Sequence, residues 1–396
     1  MRRLKGENMV DVRKNNRARI LEMLLKYGPI SRAEMSQISG LTPPAITALA
    51  NELLAEGLLE ECGIETENRM VGRKRMKMNL VHNAQLVIGV EIGVKQILAG
   101  LVNLKGEIIC KQSISLSCKD PELVIHQVVQ LIKLVAQEFP AGRIIGIGIA
   151  ATGLIDSDQG IIQNSPNLGW RNIQLRTQLE SELSLPVAVD NNVRLMALGE
   201  NTFLNKLGKM SRLILIHAGY GIGCGIILND ELYYGHGFGA GELGHTIILP
   251  KGPLCSCGKN GCLETLASGR AITSMYTQRK KLASDIEYHH VLSKMFQAAA
   301  EKDEDAIDIL SQAGTYMGFG IINLINLFAP DTLILHGSIF QSDVYSSQIK
   351  NTIRTNNYGS SDLITIKYSQ SQDELVIMGA GALAIQKFLI YKAAVG

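Results

Sequence analysis

Three cysteines and one histidine near the middle of the chain constrain its fold more than any other feature. Cys255, Cys257 and Cys262 fall within eight residues, and His245 precedes them by ten. Three thiolates and one imidazole make a complete tetrahedral donor set for Zn²⁺, which leaves no coordination position for a substrate. Two glycines between the last two cysteines let the loop return on itself. We therefore predict a structural zinc site rather than a chance cluster of reduced thiols.

The remaining cysteines and the apolar pattern indicate the compartment. The chain has 7 cysteines, and an odd number argues against a disulfide framework. Cys62, Cys110, Cys118 and Cys224 are expected to be ordinary small apolar residues. No apolar run approaches the ~20 residues that cross a bilayer, and the basic first thirty residues lack the apolar core of a signal peptide. We expect a cytoplasmic protein without membrane insertion.

The first eighty residues predict a DNA-binding domain with three helices. Residues 13–27 place leucines and isoleucine on one helical face, and Gly-Pro ends that helix. Ser31 and Glu34 have the spacing of a capping box, which starts a short second helix. Thr42 is expected to cap the third helix, with Pro43 at its first position. Two short helices joined by a tight glycine turn, after a longer one, are typical of a helix-turn-helix.

The third helix and the segment after it carry the predicted DNA contacts. The outward face of the helix is small and polar, which suits base edges in a major groove. The next two predicted strands form a basic hairpin, a wing that reaches phosphates or a minor groove. A three-helix protein-interaction module is the alternative, and RNA binding is disfavoured because no aromatic residues line this surface. The predicted DNA-binding residues are Pro44, Thr47, Ala48, Asn51, Arg69, Arg73, Lys74 and Arg75.

Net charge divides the chain at the same boundary. Residues 1–80 contain 14 Lys and Arg against 10 Asp and Glu, whereas the rest has 25 against 27. A small basic domain joined to a mildly acidic large one is typical of a nucleic-acid-binding domain attached to a domain with a different role. We therefore predict two domains, residues 1–80 and residues 81–396.

The second domain is predicted to be a duplicated α/β fold. Residues 85–104 form two strands around a glycine turn, and a third strand, a helix at 121–139 and a β-branched run follow. A similar strand–glycine–strand pattern recurs at residues 213–228. Two such patterns suggest two related lobes with a cleft between them, which is the organisation of the actin-like sugar kinases.

These motifs resemble the ROK family of repressors and sugar kinases. The resemblance covers nearly the whole chain and is most specific at Gly-Glu-Leu-Gly-His, ending at His245, and in the run from Cys255 to Glu264. With a winged helix in front, the chain resembles the repressor branch. That resemblance implies a repressor of carbohydrate-utilisation genes, with glucose, N-acetylglucosamine and xylose as candidate effectors. It also implies residues that hold the hydroxyls of a sugar: Asn167, Asn191, Asn192, Glu242, His245 and Glu264.

The kinase chemistry of the family is not matched. Its kinases have an Asn-Asp-Ala-Asn run with a glutamate eight residues after the aspartate. Eight residues before Glu200 stands Asn192, an amide that cannot accept a proton. The first phosphate hairpin has Val94 and Lys95 where kinases have glycine and threonine, and Tyr220 occupies the second. We predict no enzymatic activity; the alternative is a sugar kinase with an appended winged helix that uses Asp190 or another base that the sequence does not identify.

A cleft that closes on a ligand has two states, open and closed. If closure changes the spacing of two DNA-binding domains, ligand binding would switch DNA binding on or off. The resemblance implies a homodimer or homotetramer, which fits a palindromic operator. It also implies two kinds of effector: a sugar, or a phosphotransfer-system protein that sequesters the repressor.

Overall fold

The computed structural model describes residues 9–64, 76–137, 139–140, 142–204, 212–283, 287–359, 364–369 and 374–391. The chain forms two compact units, Met1–Gly208 together with Glu374–Gly396, and Lys209–Asp373. The domain boundary after residue 80 lies inside the first unit and stays a prediction.

The first unit begins with a winged helix. Its elements are α1 (Met9–Tyr27), β1 (Ile30–Ser31), α2 (Arg32–Ser39), α3 (Pro43–Ala55), β2 (Leu59–Ile64) and β3 (Met76–Leu80). The three strands pair antiparallel in the order β1-β3-β2. Ile20, Met35, Ile46 and Leu53 are fully buried and join the three helices in one small core.

Local capping explains where these helices begin and end. The capping box of Ser31 and Glu34 is confirmed, and Gly40 ends α2 in the left-handed conformation. Thr42 lies at the N-cap of α3, but the expected side-chain cap bond is not formed. The side-chain bond is missing at a helix that opens Pro43-Pro44, where Pro44 at the second helical position has no N–H to donate to the cap.

A five-stranded sheet follows in the first unit. Its elements are β4 (Leu86–Ile92), β5 (Gln96–Asn103), β6 (Ile108–Ser115), α4 (Pro121–Ala136), β7 (Ile144–Ala151), a three-stranded meander of β8 (Leu154–Asp156), β9 (Ile161–Ser165) and β10 (Trp170–Ile173), α5 (Leu175–Glu182), β11 (Val187–Asn191) and α6 (Asn192–Gly199). The order β11-β7-β4-β5-β6 joins an antiparallel meander, β4 to β6, to two parallel strands. A π-helical turn, Glu200–Leu204, extends α6.

The second unit repeats this topology. Its elements are β12 (Leu213–Ala218), β13 (Ile222–Leu228), β14 (Glu231–Leu232), α7 (Leu263–Ala267), α8 (Gly269–Lys280), α9 (Tyr288–Ala300), α10 (Glu304–Phe328), β15 (Thr332–His336), α11 (Asp343–Asn356) and β16 (Thr365–Tyr368). The sheet order β14-β13-β12-β15-β16 again joins an antiparallel meander to two parallel strands. The predicted duplication is therefore confirmed.

The last helix, α12 (Leu375–Ile385), belongs to the first unit and continues into a second π-helical turn, Gln386–Ile390. Helix α12 packs on α6 and on β4, β5 and β7, and all eleven of its residues are buried. Glycines permit this close approach, because a Cβ on Gly379 would collide with the carbonyl of Leu195 on α6. Helix α1 contacts both π-helical turns, so the winged helix rests on the ends of α6 and α12.

Replacing Gly379 with alanine is expected to destabilise the first unit by about 1–3 kcal/mol or more, because the new methyl group meets backbone that cannot rotate away. Urea unfolding of the variant beside wild type measures the loss. The matched control is Gly359→Ala, where a Cβ would meet nothing within 4 Å. Equal unfolding midpoints for Gly379→Ala and wild type would show that α6 and α12 are not in close contact.

Candidate functional site

The structure brings the four predicted metal ligands together. The ligand atoms of His245, Cys255, Cys257 and Cys262 all lie within 4.8 Å of one another. Cys257 Sγ is 3.6 Å from Cys262 Sγ, and Cys255 Sγ is 3.6 Å from His245 Nδ1. Ligands about 2.1–2.3 Å from a tetrahedral ion are separated by roughly 3.5–3.8 Å. The cluster therefore fits a metal ion at its centre.

Short backbone contacts hold the loop that carries these ligands. Cys262 is the N-cap of α7 and pairs with Ile247 in an isolated bridge, while the Cys255 N–H donates to the carbonyl of Lys259. Gly261 has φ +73°, and a Cβ there would collide with the carbonyl of Leu249. Only glycine fits at this position, which accounts for the glycine-rich spacing of the cysteines.

The protonation of the cysteines depends on their surroundings. The backbone N–H of Lys259 is the main cause that lowers the pKa of Cys257 to about 7. Burial raises the pKa of Cys262 to about 12. A cation at the centre of the cluster would favour the thiolate form of both, because a thiolate is the form that binds a metal.

His245 faces two partners with its two ring nitrogens. Nδ1 lies toward Cys255, and Nε2 lies 4.0 Å from a carboxylate oxygen of Glu242. Glu242 is the residue before the short 3₁₀ turn that ends at His245, and its side chain is half exposed. One motif therefore supplies a metal ligand and an accessible carboxylate beside it.

Glu264 follows the last cysteine and is largely buried. One carboxylate oxygen accepts a hydrogen bond from the N–H of Ile222 at 3.2 Å, and the other lies 3.5 Å from the guanidinium of Arg270. Arg270 in turn lies 5.4 Å from the ring centre of Tyr220. Both oxygens of Glu264 are thus engaged within the second unit. The partnership with Arg270 was not predicted from the sequence.

In the first unit, the two predicted asparagines lie where β11 meets α6. The side chain of Asn191 caps α6, accepting from the N–H groups of Val193 and Arg194, and donates to the carbonyl of Gly153 at 2.9 Å. Asn192, the first residue of α6, is partly exposed, and no hydrogen bond of its side chain appears among the described residues. Asn191 therefore has a capping role that its sequence prediction did not include.

A buried ion pair lies beside these asparagines. Arg194 Nε is 2.8 Å from Asp190 Oδ1, and the two side chains are 4% and 0% exposed. Arg194 also donates to the carbonyl of Ile155 at 3.1 Å. The i, i+4 spacing of opposite charges at the start of a helix was the available sequence signal. The pair fixes the first turn of α6, on which Asn191 and Asn192 lie.

Asn167 lies in the turn between β9 and β10, and its side chain is exposed. Its carbonyl accepts from Lys119 Nζ at 2.7 Å, and the buried Trp170 donates its indole N–H to the carbonyl of Lys119 at 2.7 Å. The turn is therefore anchored while the amide side chain faces outward. Of the six predicted sugar contacts, Asn167, Asn191 and Asn192 belong to the first unit and Glu242, His245 and Glu264 to the second.

The predicted DNA-binding face of α3 is accessible. Pro44, Thr47, Ala48 and Asn51 are all exposed, opposite the buried face of the helix. Thr47 donates its hydroxyl hydrogen to the carbonyl of Pro43 at 2.9 Å, one turn earlier. The predicted wing residues Arg69, Arg73, Lys74 and Arg75 lie outside the described residues. Within the described parts of the chain, no helix has the length and apolar content that crossing a membrane requires.

Comparisons with known proteins match both parts of the chain. The model of the ROK family matches residues 87–387, and a winged helix-turn-helix DNA-binding model matches residues 13–60. The xylose repressor of Bacillus subtilis (strain 168) is 32% identical over 388 residues, which cover 96% of this chain and 97% of the repressor.

Solved structures show the same similarity. A ROK family transcriptional regulator, a homolog of the E. coli MLC protein, has a TM-score of 0.82 at 28% identity and covers 97% of this chain and 99% of its own. A ROK family glucokinase from Streptomyces griseus, in complex with glucose and AMPPNP, has a TM-score of 0.66 at 28% identity. The glucokinase covers 76% of this chain and 99% of its own. The regulator is thus similar over nearly the whole chain and the kinase over about three quarters of it.

Proposed function

The chain belongs to the ROK family, and we propose that it is a sugar-responsive transcriptional repressor of carbohydrate-utilisation genes. The observation that carries this proposal is the exposed, small and polar face of α3 within a winged helix-turn-helix. Such a face enters the major groove, while basic wing residues hold the backbone. Operator DNA is therefore the macromolecular partner, and the protein acts in the cytoplasm, where that DNA lies.

The kinase-like part binds an effector and does not transfer phosphate. Asn192 stands where a kinase of this family has its carboxylate base. Asp190, the one base that the alternative kinase hypothesis names, is fully buried and paired with Arg194. A carboxylate in a buried ion pair is shielded from a substrate hydroxyl. These two observations favour a regulator over a sugar kinase with an appended DNA-binding domain.

The effector is a sugar, and a pentose is the first candidate because the chain is similar to a xylose repressor. Glucose and N-acetylglucosamine are the other candidates. The residues that the family resemblance implies for sugar binding offer amides, carboxylates and an imidazole, which are groups that bind hydroxyls: Asn167, Asn191, Asn192, Glu242, His245 and Glu264. Of these, Asn192, Asn167 and Glu242 are the side chains most available for a ligand.

Zinc is the metal that the cluster would hold, since three thiolates and an imidazole match its preferred tetrahedral site. Bound zinc would close the loop between His245 and Cys262 and so fix Glu242 beside it. The oligomer is a homodimer or homotetramer that presents paired recognition helices to a palindromic operator. A phosphotransfer-system protein remains the alternative effector.

Effector binding would reach the DNA through α6. This helix begins at Asn192 and continues into Glu200–Leu204, which contacts α1 of the winged helix. Helix α12 packs on α6 and also reaches α1 through Gln386–Ile390. A rotation or shift of α6 upon effector binding would therefore change the contacts that hold α1 and so the position of the winged helix. Two such positions of the winged helix would be the two states that allostery requires.

Two assays test the proposed function. Genomic fragments selected by the purified protein should contain a palindromic site, and the selected DNA should be released by one sugar of a panel of pentoses, hexoses and amino sugars. A coupled assay with ATP and the same panel should show no phosphorylation. ATP-dependent phosphorylation that Asn192→Ala abolishes, or a failure to select any DNA sequence, would contradict the proposal.

A further inference from the structure

Arg32 links three segments of the winged helix. It is the first residue of α2, and its Nη2 donates to Asn51 Oδ1 on α3 at 3.2 Å. The same nitrogen lies 3.4 Å from a carboxylate oxygen of Glu61 on β2. The Nε of Arg32 is buried and has no hydrogen-bond partner among the described atoms. Arg32 therefore joins the recognition helix to the first strand of the wing.

The contact determines which way the Asn51 amide points. An asparagine side chain has one oxygen with two lone pairs and one NH₂ group with two donors. Arg32 can donate only to the oxygen, so the bond favours one of the two orientations of the amide. The exposed Nδ2 makes no hydrogen bond that the described residues show, and one lone pair of Oδ1 remains.

Asn51 is the one predicted base contact on α3 with such a donor and acceptor set. Pro44 and Ala48 offer only apolar surface, and the hydroxyl hydrogen of Thr47 is used by the carbonyl of Pro43. In the major groove, adenine presents an acceptor, N7, beside a donor, the N6 amino group. The Nδ2 donor and the remaining Oδ1 lone pair of Asn51 match that pair of groups.

We propose that Arg32 is a positioning residue for sequence recognition: it orients the Asn51 amide so that this side chain selects an adenine in each operator half-site. This inference rests on the proposed function, since it requires that α3 lies in a major groove. Arg32 acts by orienting Asn51 rather than by attracting the phosphate backbone of DNA through its positive charge. Glu61 holds the guanidinium in place from the wing strand.

The test begins with duplexes that wild-type protein selects from a random pool. The selected half-site should contain a position that requires adenine, and that position should lose its requirement in the Asn51→Ala variant. Affinity for the selected duplex is then compared with affinity for duplexes that carry guanine, cytosine or thymine at that position. We expect a wild-type preference of about 5- to 150-fold, the range of one good bidentate contact.

Arg32→Met, which removes every donor at similar length, should reduce this preference several-fold. Arg32→Lys should restore part of it, because an ammonium group can donate to Asn51 but is carried on a more flexible stem than the planar guanidinium. The double variant Arg32→Met/Asn51→Ala should have the same preference as Asn51→Ala alone, as expected for residues that act as a unit. The charge-matched control is Arg19→Met, an exposed arginine on α1, which should leave the preference unchanged.

The outcomes separate the inference from the proposed function. A wild-type protein that selects no sequence would contradict the proposed function. Selection of an operator whose base preference is the same in wild type and Arg32→Met, with weaker binding to all duplexes and a smaller salt dependence, would make Arg32 a phosphate contact and overturn the inference. If Arg32→Met does not fold, as thermal unfolding will show, Glu61→Ala removes the acceptor that anchors the guanidinium, and an unchanged preference there would also overturn the inference.

Discussion

The Cys257→Ser variant is expected to lose its zinc and to unfold the loop between His245 and Cys262. Three remaining ligands leave one corner of the tetrahedron to water, and a hydroxyl binds zinc far more weakly than a thiolate. Cys257 is exposed, so its replacement should act through the metal rather than through the packing of the core. Metal analysis of the purified protein should fall from roughly one zinc ion per chain to a small fraction of that.

The unfolding temperature of the second unit should fall with the metal, because free energy of metal binding in structural sites is free energy of folding. A chelator should lower the unfolding temperature of wild type but not that of the variant. Cys118→Ser is the matched control, since Cys118 is also exposed and lies far along the chain from the cluster. Equal zinc content in wild type and Cys257→Ser would exclude the structural site.

The Glu242→Ala variant is expected to respond to effector only at much higher concentration. Removing the carboxylate leaves a sugar hydroxyl without its acceptor, a loss of about 1–3 kcal/mol, or roughly a 5- to 150-fold drop in effector affinity. Glu242 is a cleaner site for this test than Glu264, which also supports the N–H of Ile222 and pairs with Arg270. The measurement is the release of operator DNA at increasing effector concentration.

Controls for Glu242→Ala must separate the effector site from the metal site and from DNA binding. Operator affinity without effector should stay near that of wild type, and the zinc content should be unchanged although Nε2 of His245 lies 4.0 Å from the carboxylate. Glu231→Ala, an exposed glutamate on β14, is the charge-matched control. Matching release curves for wild type and Glu242→Ala would contradict a role in sugar binding, and regulation would then depend on a protein partner.

Restoring a carboxylate with Asn192→Asp should not create a kinase. Val94 and Lys95 still occupy the hairpin where phosphate would approach backbone, and the existing carboxylate of Asp190 stays buried in its ion pair. The coupled assay described above measures this directly, with the sugar that releases operator as the substrate. Phosphorylation of that sugar by Asn192→Asp would show that the hairpin still holds a nucleotide.

The sequence alone determined features that depend on neighbours along the chain. The capping box of Ser31 and Glu34 uses residues three apart, and the cysteines of the metal cluster lie within eight residues. The repeated strand–glycine–strand pattern likewise predicted two related α/β lobes, because runs of β-forming residues and the glycine turns between them are local signals. The missing cap bond at Thr42 also involves a neighbour along the chain, since Pro44 has no N–H to donate.

Tertiary structure decided which side chains are already engaged. Arg32 meets Asn51 nineteen residues away and Glu61 twenty-nine away, and Glu264 accepts from Ile222 forty-two residues away. No pattern of spacing predicts such pairs, because they depend on how helices and strands pack together rather than on their local periodicity. The sequence therefore identified the residues that can carry the chemistry. The fold determined that Asn51 is oriented by Arg32, that Asn191 donates to Gly153 and that Glu264 is shared, since each polar group that leaves water must find a hydrogen-bond partner.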